Sequence, residues 1–385
     1  MAQRGFIRVA FIIITLLLVS TCTPKPASTP VPAAPRSTTA PVAAPTSNLS
    51  SPTSQDAVWA KVVADAKKEG KVTLYTWAFV GDIGQEVFRA FEANSGIKVE
   101  AITGVGSMLV ERIKSEQAAK KNIADTLDTS IAIVGTAMNM GILDSLADLP
   151  ILQQKDVWAY NPKLDPEGII IGAAPGILTT FVNTSLVKAG EEPKSFRELL
   201  NPKWKGGKIG IPSPVTAPAV NYVYVFRKEY GLDDDYFRQL TKQEPKIFPT
   251  IRDAEAAVAR GETHLIMATS DAGLAPYVKE GAPIKAIEME GGIVGNIVPG
   301  IALVKKAPHP NAARVFVNWL LSAEGQRVYA QAKVGFSMRK DVPDFSAPAL
   351  KIQPKKINPM SLEVLLAASK LQNERVVAKL LGIEY

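Results

Sequence analysis

The sequence predicts an α/β protein made of two doubly wound α/β lobes. Three observations carry this prediction. Segments reading strand, loop, helix recur three times in the first 80 or so residues after residue 56. A second alternating region begins after residue 187. The chain has 385 residues, of which 46% are hydrophobic, enough for two cores of ordinary domain size.

The N-terminus reads as a targeting segment. Arg4 and Arg8 precede the apolar run FIIITLLLV (11–19), which is too short to span a bilayer as a permanent helix, and VSTC follows. The last four residues resemble a bacterial lipobox, in which Cys22 is lipidated and becomes the first residue of the mature chain. Thr21 stands where that pattern has Gly, Ala or Ser. The other reading is a plain secretory signal with an incidental cysteine. Cys22 is the only cysteine, so an internal disulfide and a cysteine-based metal site are both excluded. Residues 23–55 are Pro, Ala, Ser and Thr in low-complexity order and are expected to form a disordered tether. Anchor and tether together place the working body outside the cytoplasmic membrane.

The body opens with DAVWAKVVADAKKEG, a helical pattern stopped by Gly70. KVTLYTWA is a β-rich run, and IGQEVFRAFEANSG is amphipathic up to Gly96. IKVEAITGVGS then reads as a strand entering a glycine loop, MLVERIKSEQAAKKN as a helix, and ADTLDTS followed by IAIVGTAMNMGIL repeats the unit. After GILTTFVNTSLV come KGGKIGIPSPVTAPA and THLIMATSDAG, each a strand with its loop. PGIALVKKAPHPNAARVFVNWLLSAEGQRVYAQ adds a strand and a long helix, and SLEVLLAASKLQNERVVAKLLG closes the chain as a helix. The chain is expected to cross between lobes near 177–183 and return near 298–304. The first lobe is then 56–180 with 305–385, and the second is 181–304.

In doubly wound sheets ligands bind beyond the carboxyl ends of the strands. The first-lobe candidates are therefore Tyr75, Thr76 and Trp77, then Gly104, Gly106 and Ser107, then Asp128, Thr129 and Ser130. The glycines allow backbone N–H groups to approach a ligand where a helix begins, and Trp77 could stack on a planar group or pack within the lobe. Ordinary strand-to-helix turn chemistry accounts for the same residues. In the second lobe Ser213 and Thr216 follow KIGI, with Pro218 and Asn221 on the presumed helix, and Ser270 and Asp271 follow THLIMAT. Asp271 either accepts hydrogen bonds from ligand hydroxyl or amino groups or caps the next helix.

Other function classes find little support. Net charge is +7, and the four cations Arg4, Arg8, Lys25 and Arg36 lie in the acid-free first 55 residues, leaving +3 for the rest. That surplus, without a basic cluster, argues against nucleic acid. No GxSxG elbow and no HExxH spacing occurs, Asp233 to Asp235 read as a solvated loop, and neither an enzyme nor a cofactor is expected.

Several stretches carry a resemblance. KVTLYTWA, FRAFEANSGIKVEAITG, ERIKSEQAAKKNIADT, NPKWKGGKIGIPSP, YVKEGAPI and KKAPHPNAARVFVNWLLSAEGQ occur in the order and spacing of bacterial extracellular solute-binding proteins, in the branch containing periplasmic ferric-iron binders. The stretch 308–326 is the strongest signal and NPKWKGG the next. The resemblance implies two lobes joined by a hinge, of the periplasmic-binding-protein type II kind, a small-molecule solute in the cleft, and delivery to an ABC transporter permease. With the anchor, the partners become a solute, a permease and the membrane, and the protein is expected to be a monomer. In ferric-iron relatives the segment before the GAP turn carries adjacent tyrosines whose phenolates bind iron. Here that place holds Ser270 and Asp271, with Tyr277 farther along, while Tyr222 and Tyr224 diverge on a helix and His264 and His309 lack metal-ligand spacing. One carboxylate is a poor substitute for a phenolate pair. The sequence therefore favours a small organic or oxyanion solute and no bound metal. Ferric iron on the same fold, or a sensor-coupled receptor, is the alternative.

Overall fold

The computed structural model describes residues 54–383 except 216, 298, 353–354, 360–362 and 364–372, so Cys22, residues 23–53 of the tether and Thr216 lie outside the described residues, while Ser54 and Gln55, expected in the tether, open the first helix. The first sheet has the order β2-β1-β3-β12-β4, with β5 beside β12. Its strands are β1 (Lys71–Thr76), β2 (Lys98–Thr103), β3 (Thr126–Thr129), β4 (Leu143–Asp144), β5 (Ile171–Gly172) and β12 (Gly300–Val304). β1 runs parallel to β2 and to β3, as βαβ crossovers require, and β12 is antiparallel to β3. One face is covered by α1 (Ser54–Glu69), α2 (Gly81–Ser95), α9 (Pro310–Leu320) and α10 (Ala323–Ala332), through Val87, Phe91, Phe316, Trp319 and Tyr329. The other face holds α3 (Gly106–Ala118) and α4 (Ile131–Asn139), through Leu109, Ile113 and Val134.

The second sheet has the order β13-β11-β6-β9-β7-β8, with β10 beside β6. It comprises β6 (Pro175–Asn183), β7 (Ile209–Pro212), β8 (Lys246–Phe248), β9 (Leu265–Ser270), β10 (Ile284–Ile287), β11 (Ile293–Ile297) and β13 (Ile357–Pro359). Strand alternation divides its side chains between two clusters: Leu265 and Met267 pack with α5 (Ala217–Glu229), α6 (Asp234–Thr241) and α11 (Asn373–Leu380), whereas Ile266 packs with α7 (Ile251–Ala259) and α8 (Asp271–Lys279).

Several boundaries differ from the sequence expectation. All of 175–183 belongs to the second sheet and all of 300–304 to the first, so the chain leaves the first sheet after Gly172 and is back in it by Gly300. The two passages run side by side, with the Ala173 N–H donating to Pro299 O at 3.0 Å. The C-terminal part assigned to the first lobe is divided: β13 pairs with β11, and Val377 and Leu381 join the second-lobe core. Of the expected closing helix, Asn373–Leu380 and Glu363 are described. The GLDDDY run is not a loop throughout, because Asp233 caps α6 and Asp234 pairs with Arg227 at 2.7 Å. Its acidic residues serve the helix N-terminus.

Several polar groups of the stretch 308–326 are engaged, although buried Trp319 Nε1 has no hydrogen-bond partner among the described residues. The Glu69 carboxylate accepts from Asn311 N–H, Asn311 Nδ2 and Ala312 N–H and so caps α9 from outside. Asp125, fully buried, accepts the His309 N–H at 2.7 Å and lies 2.9 Å from its Nδ1, giving that histidine a structural partner. Ser322 caps α10 by accepting from Gly325 N–H, and buried Gln326 donates to Ala173 O and Leu320 O while accepting from Ser337 Oγ and Met338 N–H.

Candidate functional site

At the carboxyl end of β1, Thr76 is buried and its hydroxyl oxygen accepts the Phe79 N–H at 2.9 Å. Asp128, on the neighbouring β3, accepts from Ala78 N–H at 3.0 Å and Trp77 N–H at 3.3 Å through Oδ1. Oδ2 has no partner in hydrogen-bond geometry among the described residues. Burial pushes the Asp128 carboxyl up to about 7, although the Thr76 hydroxyl and the two N–H groups favour the charged form. Thr76 and Asp128 therefore hold the β1 turn in shape from inside.

Thr129 is also buried, and it explains Gly106: a Cβ there would lie 2.0 Å from Thr129 Oγ1. Close packing of α3 on β3 requires this glycine whether or not a ligand approaches it. Tyr75 points into the lobe, where its hydroxyl bonds Glu116 and the Arg112 guanidinium sits 4.9 Å from its ring. Trp77 is 40% exposed, and Val80, Val105 and Met108 of the adjoining turns are exposed with it. Ser107 is exposed in the first turn of α3, and Ser130, at the N-cap of α4, makes no side-chain capping bond.

The helix starts that follow β1, β2 and β3 differ from three in the second lobe. The N-caps of α2, α3 and α4 are Val80, Val105 and Ser130, none with a side-chain cap bond. In the second lobe α6, α7 and α8 are capped by Asp233, Thr250 and Ser270. First-lobe amides at the carboxyl edge of the sheet thus keep donors and positive dipole ends that are not quenched by a side chain.

The second-lobe candidates are more heavily engaged. Ser213 is buried just beyond β7, and its N–H donates to Phe248 O at 2.8 Å. Ser270 caps α8 by accepting the Ala272 N–H at 3.1 Å and donates to Asp271 Oδ1 at 3.3 Å. Asp271 is buried and accepts the Ile177 N–H at 3.0 Å, so of the two expected roles the cap belongs to Ser270 and the carboxylate ties α8 to β6. Burial raises its pKa, with the Lys333 ammonium acting against that rise. Gly273 is also accounted for: a Cβ would fall 1.9 Å from Glu255 Oε1. Glu255 accepts the Thr269 hydroxyl, and burial pushes its carboxyl up to about 7. Tyr224 is buried beneath Lys228, Tyr277 packs against the cluster around α7 and α8, and the Asn221 and Tyr222 side chains lie outside those described.

Among the described residues no group of three or more His, Cys, Asp or Glu is arranged to hold a metal ion. A narrow apolar cavity in the second lobe, lined by Leu178, Phe226, Tyr230, Met289 and Val294, includes none of the predicted contacts. Sequence reasoning missed Lys333, which follows α10, is buried, and feels both Asp271 and Asp344. A lysine at a helix end reads as solvent-facing, and no local pattern marks it otherwise.

Residues 72–336 match the family described as bacterial extracellular solute-binding protein. Iron uptake protein A1 of Synechocystis sp. is 26% identical over 275 residues, covering 67% of this chain and 73% of that protein. A putative 2-aminoethylphosphonate-binding periplasmic protein of Salmonella typhimurium is 25% identical over 300 residues, covering 74% and 84%. Among solved structures, iron-bound HitA from Pseudomonas aeruginosa matches with a TM-score of 0.64 at 24% identity, covering 80% of this chain and 99% of HitA, and so supports the fold.

Proposed function

The chain belongs to the bacterial extracellular solute-binding proteins, the binding components that hand solutes to ABC transporters, and from that premise we propose a cargo and an attachment. The cargo is a small organic or oxyanion solute held between the lobes, with Trp77, Ser107 and Ser130 as first-lobe contacts. The observation that carries this reading is the contrast between helix starts: the N-termini of α2, α3 and α4 lack a side-chain cap beside exposed Trp77, while α6, α7 and α8 of the second lobe are capped. Ser270 and Asp271 act on the fold around that site rather than as direct contacts. The protein works as a monomer outside the cytoplasmic membrane, attached through lipid on Cys22 and the 23–55 tether.

Ferric iron is the second reading, favoured by the name of the Synechocystis relative. Native mass spectrometry of protein purified without refolding separates the two. The expected adduct has the mass of an organic or oxyanionic compound, and an adduct of iron mass would overturn the proposal. With that solute in hand, Trp77→Ala should weaken binding roughly tenfold by calorimetric titration while leaving the ligand-free melting temperature within about a degree, because the ring is already partly solvated. Co-purification with a permease rather than a sensor protein distinguishes transport from signalling.

The anchor has its own test. Cys22→Ala should leave the protein unprocessed or release it from membranes, since acyl chains are the remaining hydrophobic attachment once the signal is removed. A processed variant that fractionates with membranes as the parent does would remove the lipid anchor.

A further inference from the structure

The segment leading from the first sheet to the second is gripped by side chains at every other residue. Gln326 Nε2 donates to Ala173 O at 2.8 Å, Lys333 Nζ donates to Pro175 O at 2.7 Å, and the Ile177 N–H donates to Asp271 Oδ1 at 3.0 Å. Gln326 lies on α10 and Lys333 directly follows it, and α10 is fixed to the first lobe by the Tyr329 ring 5.0 Å from Phe79. Asp271 opens α8 of the second lobe. The crossover is thus held from both sides.

Lys333 is buried and uses one hydrogen bond of the three its ammonium could donate. A buried cation held by a single carbonyl is unfavourable unless opposite charge lies close. Opposite charge acts on it from beyond ion-pair distance, with the Phe336 ring 5.4 Å from Nζ: burial lowers the Lys333 pKa, and the Asp271 and Asp344 carboxylates oppose the fall. Asp344 belongs to the segment after α10, whereas Asp271 lies on the other lobe, where it holds the Ile177 N–H two residues from the Pro175 carbonyl that Lys333 holds. Pro175 and Asp271 both belong to the second lobe, so rotation of the lobes about residues 173–174 moves them together relative to α10 and draws both away from Lys333.

We propose that Lys333 and Asp271 form a charged clamp on the crossover strand that sets the preferred angle between the lobes before any solute binds. The clamp rests on the two-lobed hinged architecture and is independent of which solute is carried. Opening the lobes costs the attraction of opposite charges in a water-poor junction, repaid in part by the water that enters. The clamp therefore biases the ligand-free protein toward the described arrangement, and solute binding does not have to supply that bias.

Pulsed EPR on the full-length chain tests this. Cys22→Ser removes the native thiol, and Met140→Cys on the first lobe and Leu186→Cys on the second, 43% and 39% exposed in the native chain, accept spin labels. Without added solute the parent should give one dominant interlobe distance. Lys333→Met and Asp271→Asn should each shift the ratio of interlobe populations by about tenfold, and the double variant should shift it no further than either single one. Lys333→Arg, which keeps the charge, should retain the parental distribution. An unchanged distribution in cooperatively melting Lys333→Met or Asp271→Asn would overturn the clamp, as would additive shifts in the double variant. Asp271→Asn is isosteric and keeps an acceptor for the Ile177 N–H, so it decides alone if Lys333→Met does not fold.

Discussion

Gly325→Ala should destabilise the protein by about 3 kcal/mol and lower its melting temperature by roughly 4 °C, although it adds a single methyl group. A Cβ at this position would lie 2.1 Å from Trp319 O, 2.8 Å from Leu320 Cα and 2.9 Å from Leu320 O. All three neighbours are backbone, so no rotamer change can relieve the clash and the corner between α9 and α10 must open. That corner rests on an aromatic stack in which Phe91 meets Phe316 at 5.1 Å and Trp319 at 5.4 Å. Gln326, the next residue, would be pulled from its bonds to Ala173 O, Leu320 O, Ser337 and Met338. Ser322→Ala, which removes only the N-cap at the same corner, gives the scale for a local loss at about 1 kcal/mol. Urea or thermal melting distinguishes the two. A Gly325→Ala variant no less stable than Ser322→Ala would show that the corner yields easily.

The same residues show why parts of this molecule can be read from sequence. SAEGQ reports a corner with two local requirements, a cap and a glycine without room for Cβ, whereas the partner of Gln326 at Ala173 is distant in sequence. Strand alternation is local too, and Leu265, Ile266 and Met267 divide between two faces as their spacing implies. Sheet membership is not local. Residues 357–359 pair with 293–295, and nothing in INP distinguishes that partner from a first-lobe strand, so this strand and the helix after it differ from the expected first-lobe placement while 310–332 agree with it. The candidate site divides in the same way. Position at a strand end brought Thr76, Trp77, Asp128 and Thr129 to one edge, but only packing decides that Trp77 faces outward and the other three inward. Lys333 became visible only through partners distant in sequence, Pro175 and Asp271.

Stability should fall as pH rises from about 4 to about 7, and Asp128→Asn combined with Glu255→Gln should flatten that fall. Both carboxyls are driven to about 7 mainly by burial, from ordinary values of 3.8 and 4.5. Below about pH 4 they are protonated in folded and unfolded chains alike, so they add no pH dependence. Above that, the unfolded chain releases its protons first while the folded chain still holds them, and each further pH unit favours unfolding by up to about 1.4 kcal/mol per group. The trend ends once pH passes the folded values. Paired surface carboxylates act in the opposite sense and at lower pH: Glu92, held down by the Val99 N–H, gains stability as pH rises through the acid range. Comparing parent with double variant at each pH cancels such groups. Asn retains an acceptor for the Ala78 N–H in place of Asp128 Oδ1, and Gln can still accept from the Thr269 hydroxyl, so the variants chiefly remove the charge. The double variant should therefore exceed the parent by a few kcal/mol at pH 8 and approach or fall below it at pH 4. Chemical denaturation at pH 4, 6 and 8 measures this, and a constant difference between parent and variant across that range would mean that neither carboxyl titrates where its burial places it.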